Sequence, residues 1–478
     1  MVNILNDLSL KEKYQIFTPD LQIEQMLDIA GYDNNLFGKK FLENSCGNGN
    51  ILIKAVERYI KFCLHKKFSL KKIKKGLETD FFAYEIDAKR IEECKDKLNE
   101  IIKKYDIFGV EWNILCEDYL SADNNQKFDF VIGNPPYIAY LDLPIDIRQF
   151  VKKNFITCQK GKFDYSYAFL EKSYKSLAEM GHLVYLVPSN IFKNVFAKDL
   201  RSLIKDDIVS IIDYPNAKVF EKVIVTPAIV MMIKGSNYDK INYSLNDNIK
   251  IQKISKCSLG DKWIFENFDR AEGTRLGNNF KVSSSIATLL NEVFVLRNGK
   301  IDGNYYVGDN DIMIEAALLR KAASPKNKRY KKYAEYIIFP YYYDDNGKLC
   351  HYSEQEMHTY FPRAMKYLES KKNQLIQRDA DKNAKWYEYG RSQALADMNK
   401  EILLISSVIS DCTEAYLLEK NEIPYSGLYI TSIGSSKVDE LLNIFNSKRF
   451  KEYIRCIGVS VSGTSKRVSP NDLENFVY

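Results

Sequence analysis

The chain has 478 residues, 45% hydrophobic and 28% charged, with a net charge of +6. That length favours two domains, and no apolar run reaches the roughly 18 residues a membrane span needs, so no membrane segment is expected. The charge permits a polyanionic partner without demanding one, while nine scattered cysteines with no CxxC pair and four histidines outside metal-ligand spacing predict free thiols and no metal site.

The first residues, MVNILNDLSLKEKYQIF, have neither a basic region before an apolar core nor a small-residue cleavage site, which is the start expected of a cytoplasmic protein. From residue 40 to about 235, short apolar runs alternate with amphipathic stretches, the rhythm of a mostly parallel sheet covered by helices. Strands are predicted at 40–44, 81–87, 112–116, 128–133, 182–188, 208–214 and 226–233. The expected class is therefore α/β, a doubly wound, mostly parallel seven-stranded Rossmann-like sheet. Between the second and third strands, Ile91, Cys94, Leu98 and Ile101 recur at helical spacing, predicting a helix over 88–104 with one buried face. The run KKFSLKKIKK at 66–75 holds six lysines and reads as a solvated insertion or a phosphate contact. Near Gly235 the alternation lapses, which places a domain boundary at 235–265 and gives domains 1–245 and 246–478. The second half mixes charged helices with aromatic segments such as IIFPYYY (337–343) and KWYEYGR (385–391), a mixed α+β texture.

FLENSCGNGNILIKAV (41–56) runs strand, glycine turn, helix, an arrangement that aims backbone N–H groups at a ligand; Gly47 and Gly49 permit close approach, though an ordinary tight turn has the same look. Successive strands then end in Glu85 and Asp87, in Asp118 with Tyr119 beside it, and in Asn134. A doubly wound sheet binds ligands beyond these carboxyl ends. A carboxylate at the second strand can hold ribose hydroxyls, and Asp118 can accept from an adenine amino group. A dinucleotide-binding dehydrogenase competes for this geometry, but GNGNIL lacks the third glycine of its fingerprint.

The most specific signal is Asn134-Pro135-Pro136-Tyr137. Tandem prolines stop the strand and fix the backbone, so the Asn134 side-chain oxygen and the Pro135 carbonyl can act as rigid acceptors for the two hydrogens of an exocyclic amine. Drawing those hydrogens out of plane returns the lone pair to the nitrogen, which can then attack a sulfonium methyl held in line. Tyr137 can stack on the base.

With these motifs the sequence closely resembles the gamma-class N6-adenine DNA methyltransferases of bacterial restriction–modification systems, of the TaqI-like type. YQIFTPD (14–20) looks like the family's N-terminal cofactor motif and precedes the glycine turn and NPPY in the gamma order. The resemblance implies S-adenosyl-L-methionine as cofactor, with Ile16 and Thr18 along its methionine portion, Glu43 and the Gly47 turn at its amino group, Glu85 with Ile86 at the ribose and adenine, and Asp118 with Tyr119 at the adenine. GKFDYSYAFLEK (161–172) implies that Phe169 packs against the cofactor; GHLVYLVPSNIF (181–192) matches the following strand and loop. KVFEKVIVTPAIVMM (218–232) implies that Phe220 faces Tyr137 across a flipped adenine. One departure is Glu43-Asn44 where the family carries Glu/Asp-Pro.

The second half resembles the family's target-recognition domain, through the aromatic segments, GLYITS (427–432) and IGVSVSGTSKRVSP (457–470). Arg391, Lys466 and Arg467 are its candidate DNA contacts, and core packing with a peripheral ion pair stays open for Arg391 and the aromatics around Trp386. The resemblance implies a site-specific adenine methyltransferase acting on double-stranded DNA, with a separate cognate restriction endonuclease as possible partner; a fused nuclease is not expected. The same NPPY chemistry serves RNA adenine and protein glutamine methyltransferases, and a catalytically silent DNA-binding subunit is the non-enzymatic alternative.

Overall fold

The computed structural model describes residues 18–215, 226–245, 250–265, 272–309, 312–330, 334–410, 413–462 and 464–478. The chain forms two compact units, Met1–Phe265 and Glu266–Tyr478. No helix among the described residues is long and apolar enough to cross a membrane.

In the first unit the elements run α1 (Asp20–Ile29), β1 (Phe41–Glu43), α2 (Asn50–His65), α3 (Leu70–Asp80), β2 (Phe81–Glu85), α4 (Ala88–Lys103), β3 (Asn113–Cys116) and β4 (Phe128–Gly133), then α5 (Ile145–Asn154), α6 (Ser166–Ser176), β5 (Leu177–Pro188), α7 (Lys198–Ile204), β6 (Ile208–Asp213), β7 (Pro227–Ile233), β8 (Lys240–Leu245) and β9 (Gln252–Ser255). The strands form one sheet in the order β3-β2-β1-β4-β5-β7-β6-β8-β9. β1 to β5 are parallel neighbours, and β7 runs antiparallel between β5 and β6. Strand alternation splits the core between the two faces: Phe41, Phe130 and Ile132 pack on one side with α2 and α4, and Leu42 and Val131 on the other with α6 and α7. Both faces of the central strands are thus covered, which is why their sequences read as near-continuous apolar runs.

All seven expected strands are present, but among the described residues the sheet has nine. The two additional strands lie at its edge, where β8 buries only Ile241 and Tyr243 and β9 buries no residue fully. Half-solvated strands carry little apolar signal, and the expected division after residue 245 therefore falls inside this sheet. The first unit continues to Phe265, whose ring stacks on Tyr243 at 4.4 Å while Trp263 stacks on Phe192. The lysine run is solvated, as expected, and is helical in its second half: Ser69 caps α3 through Lys72 N–H, Ile73 and Leu77 turn inward, and most of the lysines form the solvent face.

The second unit is a mixture of small sheets and helices. One four-stranded sheet joins Phe280–Ser284, Leu428–Ser432, Leu403–Ile405 and Ala415–Leu417, and another joins Val295–Leu296, Glu335–Ile338, Leu319–Ala323 and Ile423–Pro424. The aromatic segments expected in recognition mostly build its core. Phe339, Tyr341, Tyr387 and Tyr389 are all at most 2% exposed. Tyr341 Oη accepts from Tyr389 N–H at 2.8 Å, and Tyr389 Oη donates to the Ile338 carbonyl at 2.7 Å. Buried tyrosines keep their hydroxyls paired in this way.

Candidate active site

Because β1 to β4 are parallel and adjacent, their carboxyl ends lie side by side, bringing Glu43, Glu85, Asp118 and Asn134 to one edge of the sheet. The turn after β1 is shaped by two glycines with positive φ, 52° at Gly47 and 83° at Gly49. A Cβ on Gly49 would overlap Cys94 Sγ of α4, whereas Gly47 faces open space. The turn is tied to the neighbouring strand: Cys46 N–H donates to the Tyr84 carbonyl at 3.0 Å and Gly47 N–H to Glu85 Oε2 at 2.9 Å. The other oxygen of Glu85 accepts from Ile86 and Asp87 N–H. Glu85 therefore organises the turn, and its carboxylate keeps lone pairs for hydroxyl donors. Ile86 is half-buried beside it.

At this edge of the sheet Glu43 Oε2 and Asp118 Oδ2 are buried carboxyl oxygens with no hydrogen-bond partner among the described residues. Burial pushes Glu43 well above the ordinary carboxylate range. Burial also raises Asp118, partly offset by the Leu120 N–H at 3.0 Å on its other oxygen. An unsatisfied buried carboxylate oxygen is costly, so these two mark positions suited to a ligand's donors. Thr18 is buried next to α1, while Ile16 lies outside the described residues.

Tyr119 departs from the expected cofactor contact. Its ring is 3% exposed, packs edge-on to Tyr84 and tilted on Phe169, and its hydroxyl meets Ser173 and Ser176. Phe169 is 5% exposed in the same cluster. Both rings support the turn from within the core. Lys172 of α6 reaches under it, donating to the Tyr119 and Ala122 carbonyls at 2.6 and 2.5 Å and to that of Leu120 at 3.3 Å.

Asn134 follows β4, half-exposed, with Pro135 and Tyr137 buried after it. Ser45 Oγ donates to the Asn134 carbonyl at 3.2 Å, joining NPPY to the glycine turn. Tyr137 is 7% exposed; its hydroxyl lies 2.7 Å from the Leu186 carbonyl and hydrogen-bonds the Asn134 side-chain amide. The open ring face expected for base stacking is thus packed inward here, and its expected partner Phe220 lies outside the described residues.

Three further residues of this region have roles that sequence reasoning did not reach. Asn44 donates to Ser173 Oγ at 2.6 Å and also bonds Tyr185 Oη, pinning β1 to α6 and β5 where the family's proline is missing. A Cβ at Gly133 would approach the Tyr185 ring tightly, at 3.3 Å, while making only ordinary contact with Asn44 Oδ1. Asp164, across an isolated bridge from Ala139, is held by Ser166 N–H and Oγ, and burial raises its carboxyl to about 6. Its only sequence signal was its place within GKFDYSY.

In the second unit Arg391 is committed to acids of its own segment, Asp379 at 3.0 Å and Asp381 at 3.2 Å, which corrects its expected role as a DNA contact in favour of the peripheral ion pair. Lys466 and Arg467 stand on a short strand, Ser465–Arg467, paired with Val408–Ile409 and Val459–Ser462; Lys466 bonds Ser460 Oγ and Arg467 is exposed.

Residues 24–220 match the Eco57I restriction-modification methylase family. The Type II methyltransferase M.BstVI of Geobacillus stearothermophilus is 27% identical over 243 residues, covering 47% of this chain and 42% of its own length. The Type II restriction enzyme and methyltransferase RM.Eco57I of Escherichia coli is 24% identical over 398 residues, covering 74% of this chain and 38% of its own. Modification methylase CviBIII of Paramecium bursaria Chlorella virus NC1A is 32% identical over 189 residues, covering 39% and 41%. The chain thus spans less than half the length of these relatives. The Type IIL restriction-modification enzyme MmeI, solved in complex with DNA, aligns with 98% of this chain and 66% of its own at a TM-score of 0.59 and 12% identity, a shared fold that extends over both units.

Proposed function

We propose that this chain is a restriction-modification methylase that transfers a methyl group from S-adenosylmethionine to the N6 of an adenine in a short word of double-stranded DNA. The observation that carries the reading is the NPPY turn at the end of β4, set beside the glycine turn of β1 and the acids of β2 and β3. The polar groups fit the cofactor. Glu43 and Asp118 offer buried oxygens with no partner among the described residues, suited to an ammonium and an adenine amine. Glu85 has lone pairs for ribose hydroxyls, and Gly47 leaves the turn open to close approach. When bound, the cofactor supplies a methyl on a positively charged sulfur. Asn134 and the Pro135 carbonyl hold the amine of the target so that its lone pair faces that methyl, and orientation accounts for most of the acceleration.

The second unit is assigned the reading of the DNA word, with the hairpin cations Lys466 and Arg467 toward phosphates and the buried aromatics as its scaffold. A cognate endonuclease encoded separately would complete a restriction system. The test is to incubate the full chain with unmethylated genomic DNA and S-adenosylmethionine and map modified bases by single-molecule sequencing. N6-methyladenine confined to one word is expected. Cofactor binding with no DNA methylation would refute the proposal.

A further inference from the structure

The loop after NPPY is firmly held and yet leaves apolar side chains in water. Leu141 is 65% exposed and Ile145 69%. A lone surface leucine needs no explanation, but Leu141 does not stand on slack chain. Arg148 of α5 donates from Nη2 to the Leu141 carbonyl and from Nε to the Leu143 carbonyl, both at 2.7 Å. Asp142 N–H reaches the Ala139 carbonyl at 2.9 Å, and Tyr165 N–H ties the neighbouring Ile138 carbonyl at 3.0 Å. The Tyr140 ring packs edge-on against Phe163 and lies 4.9 Å from both the Arg148 guanidinium and the Lys152 ammonium. The backbone is therefore ordered in advance, while the side chain it presents forfeits burial.

Two observations name the partner. Leu141 follows Tyr137 by four residues, so their Cα atoms lie at most about 14 Å apart, and a duplex that delivers a base to NPPY passes close to this loop. Between Ala139 and Lys162, five cations stand against two acids, Asp142 and Asp146, a balance that suits a phosphate backbone. Extruding a base breaks its pair and leaves a gap in the stack, and apolar side chains are able to enter an opened step. We propose that Leu141 is the wedge that enters the stack where the target base leaves it, with Arg148 as the positioning residue behind it and the lysines of 152–162 toward the phosphates. The segment that receives the base is then continuous with the one that opens the duplex.

The inference rests on the adenine-methylation reading, and the experiment separates the two. In the full chain, Leu141→Ala trims a solvent-exposed side chain, so Tm and the Kd for S-adenosylmethionine should not change. On a duplex carrying the methylated word, kcat/KM should fall roughly tenfold, the scale of burying one leucine. The fluorescence of 2-aminopurine at the target position should fall with it, and Leu141→Met should restore both. The decisive substrate has an abasic site opposite the target: its base is already unpaired, and the defect should shrink to about twofold or less. Full activity of Leu141→Ala on the paired duplex overturns the inference and leaves the exposed loop to a protein partner. A defect of equal size on both duplexes, or a weakened cofactor affinity, also overturns it, since neither reports duplex opening. A wild-type chain that methylates no adenine refutes the reaction and the wedge together, whereas an active wild type with an unimpaired variant refutes the wedge alone.

Discussion

Replacing Gly49 by alanine tests how the glycine turn is built. Gly49 caps α2 with φ at 83°, a conformation that costs an L-residue roughly 1–2 kcal/mol. The new methyl would also overlap Cys94 Sγ, and over-packing of this kind costs about 1–3 kcal/mol more. Together they predict a loss of roughly 2–5 kcal/mol, and at about 2–4 °C per kcal/mol for a unit of this size Tm should fall by at least several degrees. The two contributions can be parted, because only the overlap depends on Cys94. Cys94→Ala alone should cost about 1 kcal/mol for a buried sulfur, while in the double variant the overlap disappears and the backbone strain remains. A coupling energy of about 1–3 kcal/mol of favourable sign is expected from a denaturant-melt cycle over the four proteins. Strict additivity, or a Gly49→Ala variant as stable as the parent, would refute the assigned packing of the turn against α4.

Asn134→Ala should lower methyl transfer by about a hundredfold or more, the scale for deleting one preorganised polar group at a reacting centre, while isothermal titration finds cofactor affinity unchanged. Asp118→Ala should weaken S-adenosylmethionine binding by roughly ten- to a hundredfold, the scale of a hydrogen bond to a charged group, in the same titration. Asp164 has a folded-state pKa of about 6 against 3.8 unfolded, so its contribution to stability is complete below the unfolded value and is lost as pH rises through 6. The wild type should therefore lose about 3 kcal/mol between those values relative to Asp164→Asn, which urea melts at pH 3.5 and 7 would register. Arg391→Ala should leave the salt dependence of DNA binding unaltered, since its charge is spent on Asp379 and Asp381; a slope reduced by about one unit would restore it as a phosphate contact.

The parts of the fold that sequence reasoning reached are those with an unambiguous physical signature. β4 and β5 hold runs buried on both faces, residues 130–133 and 183–188, that are almost wholly apolar, and NPPY has few structural readings besides a rigid acceptor turn. β8 and β9 escaped because a solvated edge needs no apolar run. An aromatic that stacks on a ligand and one that fills a core have the same composition, and only burial separates them, as it does for Tyr119, Tyr387 and Tyr389. Asn44 looked like a defect in a family motif, yet its amide makes two long-range bonds that a proline could not. The pairing of Arg391 with acids ten and twelve residues away was within reach of sequence, but like distances along a loop do not establish contact.

Lys172 gives the site one more property. Its ammonium holds three carbonyls of the segment that follows Asp118, so that segment is already frozen before any ligand arrives. On the proposed reading, cofactor binding there forfeits little chain entropy, and the affinity of the acid depends mainly on desolvation and hydrogen bonding. Lys172→Met should accordingly act as a slackening of the turn, leaving Asp118 chemically intact while each binding event has to order it anew.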